Sequence, residues 1–271
     1  MIWIDGKPVE ATEETLATDG GLLFGASLFE TMKLADGSIR YREAHLHRLR
    51  SAAALLGWPQ LPDGLAADLD RLAALHPHGI FRLRLTLTAG DYQGLAPASD
   101  RCRTILTVSP YTPPTVTERQ QGCQAVIAAN RRVNPVPQLP QLKSGNYFDC
   151  LIAAAAARAA GVREALFRDD VGQLLEGATS NLFIVRGQTL MTPPCGHEIL
   201  DGIMRQQVLR LAPSLGWAVA EISVHQNSLT PQDGAFLTNA LIGILPLSSI
   251  AEIPLRTTWP WAPLQQLVDA F

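Results

Sequence analysis

The sequence predicts an α/β (α+β) fold in two units, and three observations carry that prediction. Short runs that alternate apolar and polar residues recur along the chain, as in 27–34, 80–88 and 103–108. Between them lie stretches with apolar residues at three- and four-residue steps, the period of a helix. A Tyr111-Thr112-Pro113-Pro114 segment belongs to neither pattern and reads as a linker. The expected division is a small N-terminal α/β unit at 1–112, a linker at 113–121 and a larger C-terminal unit at 122–271.

Bulk properties narrow the class of function. The chain has 271 residues, 47% hydrophobic and 17% charged, enough to bury a substantial core. A net charge of −3 and the lack of a basic stripe argue against nucleic acid as a partner. The N-terminus carries Asp5 where a signal peptide needs a basic start, and no apolar run reaches the length of a membrane span. Cys102, Cys123, Cys150 and Cys195 are scattered without a C-x-x-C pair, as free thiols in a reducing compartment are. A cytoplasmic protein is expected.

Taken in order, residues 1–10 read as a hairpin turning at Asp5-Gly6. A glycine-rich loop, 19–26, leads into a strand at 27–34, and Asp36-Gly37 turns it back through Ile39. From Arg42 to Gly57, Leu46, Leu49, Ala53 and Leu56 mark a helix, ended by Gly57 and Pro59. Arg48 falls about 120° from the centre of that stripe, free to face a different neighbour. His45-x-His47 and His76-x-His78 lack a third ligand at useful spacing, so no metal is expected. A second helix is predicted over 65–75, then strands at 80–88 and 103–108. Beyond the linker come a strand at 123–128 and a helix through the alanines 153–157. A meander of strands follows over 164–192, then a helix opened by Asp201-Gly202, a strand at 217–224, a short one at 235–238 and a final helix at 263–271.

Chemistry centres on Leu142-Lys143-Ser144-Gly145-Asn146-Tyr147. Pro135, Pro137 and Pro140 deliver Lys143 to a loop-to-helix junction among apolar and small residues. Desolvation there lowers an ammonium pKa, and a neutral amine can attack a carbonyl. The segment alone favours a surface lysine at a helix start. Three further features change the balance: Glu176 in an otherwise apolar strand pair, a helix N-terminus at Gly202-Ile203-Met204, and Thr238-Asn239 at a strand end. A pyridoxal 5′-phosphate site needs such a set: an amine for the aldehyde, a carboxylate for the ring nitrogen, and backbone and hydroxyl donors for the phosphate. Arg48 would add charge neutralisation.

With these residues in view, the chain resembles the fold-type IV pyridoxal-phosphate enzymes, which include branched-chain and D-amino-acid aminotransferases and aminodeoxychorismate lyases. The resemblance rests on Phe24-Gly25, Phe29-Glu30-Thr31, His45-Leu46-His47-Arg48-Leu49, Lys143 with Asn146-Tyr147, Glu176-Gly177-Ala178-Thr179-Ser180-Asn181-Leu182-Phe183 and Gly202-Ile203-Met204-Arg205. It implies a Schiff-base role for Lys143 and a ring-nitrogen role for Glu176. Arg48, the backbone at Ile203 and Met204, and the Thr238-Asn239 turn would form the phosphate cup. It also implies two α/β domains around the cofactor and a homodimer whose partner completes each site.

Within the family, Thr238-Asn239-Ala240-Leu241-Ile242-Gly243-Ile244-Leu245-Pro246 resembles a stretch typical of the lyases. That resemblance implies 4-amino-4-deoxychorismate as substrate, with 4-aminobenzoate and pyruvate as products on the folate route. Thr31 is then a candidate to hydrogen-bond the leaving group. Transamination of a branched-chain or D-amino acid is the alternative, and a non-catalytic cofactor-binding relative a third. One departure concerns substrate binding: the loop 89–95 lacks the arginines that relatives carry there, so a carboxylate contact is missing from it.

Overall fold

The computed structural model describes residues 2–4, 7–9, 16–98, 100–196, 198–258 and 261–269. Ile2–Ile4 and Lys7–Val9 pair antiparallel as the alternation predicts, while the expected turn at Asp5-Gly6 lies outside the described residues. Two sheets build the rest. The first is antiparallel, in the order Ser38–Ile39, Ser27–Ala35, Ile80–Thr88, Arg103–Pro110. Helices Arg42–Leu55 and Leu65–Ala74 cover one face of it, and Leu28, Met32, Leu34, Leu83, Leu85 and Leu87 meet Leu46, Leu49 and Leu69 in a buried core.

The two-residue period of these strands decides what the other face carries. With Leu83, Leu85 and Leu87 packed inward, Arg82, Arg84 and Thr86 alternate away from the helices. Phe29 and Thr31 do the same on the neighbouring strand, where Thr31 stands opposite Arg84. Glu30 lies on the helix-covered face, an acid between Leu28 and Met32.

The second sheet has nine described strands, with the main order Leu174–Gly177, Glu164–Arg168, Cys123–Ile127, Gly243–Ile250, Gly234–Asn239, Asn181–Arg186, Thr189–Thr192, Ala218–Glu221. Ile253–Pro254 pairs at the edge of Gly243–Ile250. Helix Phe148–Ala159 connects the parallel strands Cys123–Ile127 and Glu164–Arg168. Helix Ile203–Leu211 plays the same part between Thr189–Thr192 and Ala218–Glu221, as parallel pairing requires.

Three expectations need correction. The segment 164–192 is not a meander: its two hairpins are separated by three intervening strands, two of which arrive from the far C-terminal end of the chain. The glycine-rich stretch contains a short helix, Gly20–Phe24, capped by the Asp19 side chain and closed by Gly25 with φ 67°. The segment 113–121 is only partly extended. Val116–Gln121 is a helix with a capping box, in which Thr115 accepts from the Glu118 N–H and Glu118 from the Thr115 N–H. No described helix is long and apolar enough to cross a membrane.

Candidate active site

The lysine segment forms a bridge between the sheets. The Phe29 N–H donates to the Lys143 carbonyl at 2.8 Å and the Gly145 N–H to the Ser27 carbonyl at 2.6 Å. Leu28 and Ser144 pair antiparallel, so 143–145 runs as a short extra strand beside Ser27–Ala35. Glycine suits this approach at 145, because a Cβ there would collide with Ser27 Oγ unless that side chain turned away.

The Lys143 amine lies 4.4 Å from the Phe29 ring centroid and 3.3 Å from the Tyr147 hydroxyl. Burial, with Arg48 nearby, pushes its pKa down to about 8. Tyr147 packs edge-on against Phe29 at 5.0 Å, and burial holds its phenol protonated well above the usual range.

Glu176 is buried at the end of Leu174–Gly177. One oxygen accepts from Arg132 Nε at 2.9 Å, and the other from the Leu200 N–H at 3.1 Å and Asn181 Nδ2 at 3.3 Å. Burial raises the pKa of this carboxyl, and Arg132 opposes it. Arg132 also donates to Asp149, at 2.7 Å.

At the other end, Arg48 donates through Nε and Nη2 to Glu30 and through Nη1 to the Asp201 carbonyl. That last bond sets the guanidinium beside the start of Ile203–Leu211. Gly202 occupies the N-cap and no side chain caps the helix, so the first N–H groups at Ile203 and Met204 have no side-chain acceptor. Thr238 Oγ1 is fully buried in the same wall and has no hydrogen-bond partner. An uncapped helix start, an unpaired buried hydroxyl and an arginine make an anion cup, and the residues fit a phosphate group. Asn239 is otherwise engaged. Its oxygen accepts from the N–H groups of Leu241 and Ile242, and its nitrogen donates to the Thr179 carbonyl, so it shapes the turn.

One cavity of about 620 Å³ is lined by Lys143, Glu176, Thr31, Arg48, Ile203, Met204, Thr238 and Asn239, all eight residues singled out from the sequence. Around it stand residues that the sequence reading passed over. Glu30 and His45 are buried, with His45 Nδ1 2.7 Å from Glu30, so His45 is no ordinary surface histidine. Its Nε2 has no partner and His45 lines the cavity. Period two offered a signal for Glu30, since an acid between Leu28 and Met32 must find a cation. Arg132 gave none that separated it from Arg131, which pairs with Asp170 at the surface. The loop 89–95 does lack an arginine; it is tied down instead by Arg103, which holds Asp91 at 2.7 Å and Asp19 at 3.1 Å. Arginines reach the cavity from elsewhere: Arg82 and Arg84 from the first sheet, Arg158 from helix Phe148–Ala159 and Arg163 from just before Glu164–Arg168.

The family model described as Amino-transferase class IV matches residues 27–250. The chain belongs to this family. Its members depend on pyridoxal phosphate, the cofactor for which the cup, the lysine and the buried acid are suited. Among the relatives of this class IV enzyme, a protein of Methanocaldococcus jannaschii, provisionally named a branched-chain-amino-acid aminotransferase, is 33% identical over 92% of this chain and 87% of its own length. Aminodeoxychorismate lyase of Bacillus subtilis is 27% identical over 93% and 87%. The crystal structure of 4-amino-4-deoxychorismate lyase from Pseudomonas aeruginosa superposes with a TM-score of 0.81 at 30% identity, covering 99% of this chain and 96% of that one. The relatives thus divide between two reactions.

Proposed function

We propose that this class IV enzyme is a 4-amino-4-deoxychorismate lyase that releases 4-aminobenzoate and pyruvate. The observation that carries the reading is the charge of the cavity wall. Arg82, Arg84, Arg158 and Arg163 line it, and among the described residues none of them forms an ion pair. A branched-chain amino acid brings one carboxylate and an aliphatic tail, which gains nothing from such a wall. Aminodeoxychorismate brings two carboxylates, and guanidinium groups pair with carboxylates in the best geometry available to a side chain.

In this reading Lys143 binds the aldehyde of the cofactor, Glu176 its ring nitrogen, and Arg48, Thr238 and the Ile203–Met204 backbone its phosphate. Pyridoxal phosphate supplies an electron sink for the carbon that bears the substrate amine. Lys143, once its amine is free, would be the base that removes the proton from this carbon. An amine with a pKa of about 8 is well matched to the task near neutral pH. Tyr147 keeps its proton, and its hydroxyl oxygen accepts from Lys143 Nζ at 3.3 Å. Arg84, 3.8 Å above the Phe29 ring, would orient a carboxylate, and Thr31, its register partner in the cavity wall, is the candidate to hydrogen-bond the departing enolpyruvyl oxygen.

We propose a homodimer as the working form. Phe148, Leu151 and Ile152 on the helix after Lys143 are exposed, as are Leu22, Leu23 and Phe24. Asn146 joins these two groups by donating to the Gly25 carbonyl. The second reading, transamination, is favoured by the Methanocaldococcus jannaschii relative. One experiment separates the two: enzyme with aminodeoxychorismate and no keto acid. The lyase forms 4-aminobenzoate and pyruvate one-to-one in many-fold excess over enzyme. Turnover that requires both an amino acid and a keto acid, without 4-aminobenzoate, overturns the proposal.

A further inference from the structure

We propose that Tyr111, Arg163 and Arg82 form a second anion subsite within the cavity, one that takes the substrate carboxylate not held by Arg84. The proposal rests on the reading of a dicarboxylate substrate and adds residues to it that come from three places in the chain. Arg82 projects from Ile80–Thr88. Tyr111 follows the last residue of Arg103–Pro110, and its N–H donates to the Ile80 carbonyl at 2.9 Å. Arg163 directly precedes Glu164–Arg168 and is fixed by its N–H to the Gln124 carbonyl at 3.1 Å. All three side chains line the same cavity.

The Tyr111 hydroxyl is buried beside Arg163, which can donate to its oxygen, and its own proton has no acceptor. Burial pushes its pKa up, against the charges of Arg163, Arg82 and Arg119, so the group around it is cationic. Guanidinium groups only donate, and none of them can accept the phenol proton. Arg119 is committed to the carbonyls of Ile242 and Ile244 and to Gln265, which leaves Arg163 and Arg82 to face the cavity. A donor with no acceptor, flanked by two arginines that form no salt bridge among the described residues, is complementary to a carboxylate. A carboxylate there would accept from the phenol and from both arginines.

The test uses the pyridoxal-phosphate-loaded protein and two probes, isophthalate with two carboxylates and benzoate with one, titrated calorimetrically. Isophthalate is expected to bind roughly tenfold or more tightly than benzoate. Arg163→Met and Tyr111→Phe should each remove most of that advantage while benzoate affinity and the cofactor absorbance stay as they were. Tyr111→Phe deletes a single oxygen, so the test stands even where Arg163→Met does not fold. An unaltered preference in both variants, or an equal loss for both probes, overturns the subsite. No turnover is involved, so a protein that makes no 4-aminobenzoate yet keeps the dicarboxylate preference refutes the lyase and not the subsite.

Discussion

Both carboxylate oxygens of Glu30 accept hydrogen bonds from Arg48, at 2.8 Å from Nε and 2.6 Å from Nη2. The pair is held from behind by His45, so the guanidinium reaches the helix start at Asp201 in one orientation only. Glu30 is the residue through which the first sheet fixes the anion cup.

Arg48→Ala should therefore weaken cofactor affinity more than it slows the saturated rate, since the phosphate is an anchor remote from the reacting carbon. Glu30→Gln should show the same signature in milder form. Equilibrium dialysis with pyridoxal phosphate, set against kcat at saturation, reads both; an unchanged dissociation constant in both variants would exclude the cup.

Glu30 also has a pH signature. Burial opposes its ionisation, but Arg48 and His45 prevail and lower the pKa to about 2. The folded value lies below the unfolded one, so the stabilisation is complete above about pH 4.5 and is lost as pH falls towards 2. Glu30→Gln should be less stable than the parent by on the order of 3 kcal/mol at pH 7, with the gap closing below pH 4. Urea midpoints between pH 2 and pH 7 would measure it.

Lys143, whose pKa is also lowered, carries a signature in cofactor uptake. Only its neutral amine attacks an aldehyde, so apoprotein should take up pyridoxal phosphate about tenfold faster per pH unit below 8 and level off above it. Borohydride should then fix the cofactor on Lys143. A rate still rising at pH 10, or a label on another residue, would show that this lysine is ordinary.

Glu176→Gln should retain the cofactor and slow the chemistry by on the order of 10²-fold, because a neutral amide cannot keep the ring nitrogen protonated. Parent-like kcat would reduce Glu176 to a partner of Arg132.

Thr238→Val separates folding from binding. Thr238 Oγ1 has no partner in the protein, so its removal should leave the apoprotein as stable or about 1 kcal/mol more stable, yet cofactor affinity should fall several-fold. Loss of apoprotein stability in thermal melts would mean that the hydroxyl bonds within the fold.

Strands and helices that alternate cleanly were legible in the sequence, as Ile80–Thr88 and Arg42–Leu55 are, because burial on one face leaves a period that local reading detects. Strand order was not legible. The pairing of Cys123–Ile127 with Gly243–Ile250 spans over a hundred residues, and no local pattern encodes it. The same holds at the site. Lys143 and Glu176 announce themselves by odd surroundings in the chain, whereas Arg132 and Tyr111 acquire their character only from neighbours that the fold delivers.

The antiparallel pairing of 143–145 with Ser27–Ala35 has a mechanical consequence. Lys143 follows a strand of the second sheet in sequence but is stitched by its backbone to the first sheet, while Glu176 is a strand residue of the second. A molecule gripped at both points acts as a rivet between the sheets, and any hinge motion that parts them must strain its grip. Loading should thus tie the two sheets together more firmly, visible as a higher thermal transition in the holoprotein than in the apoprotein.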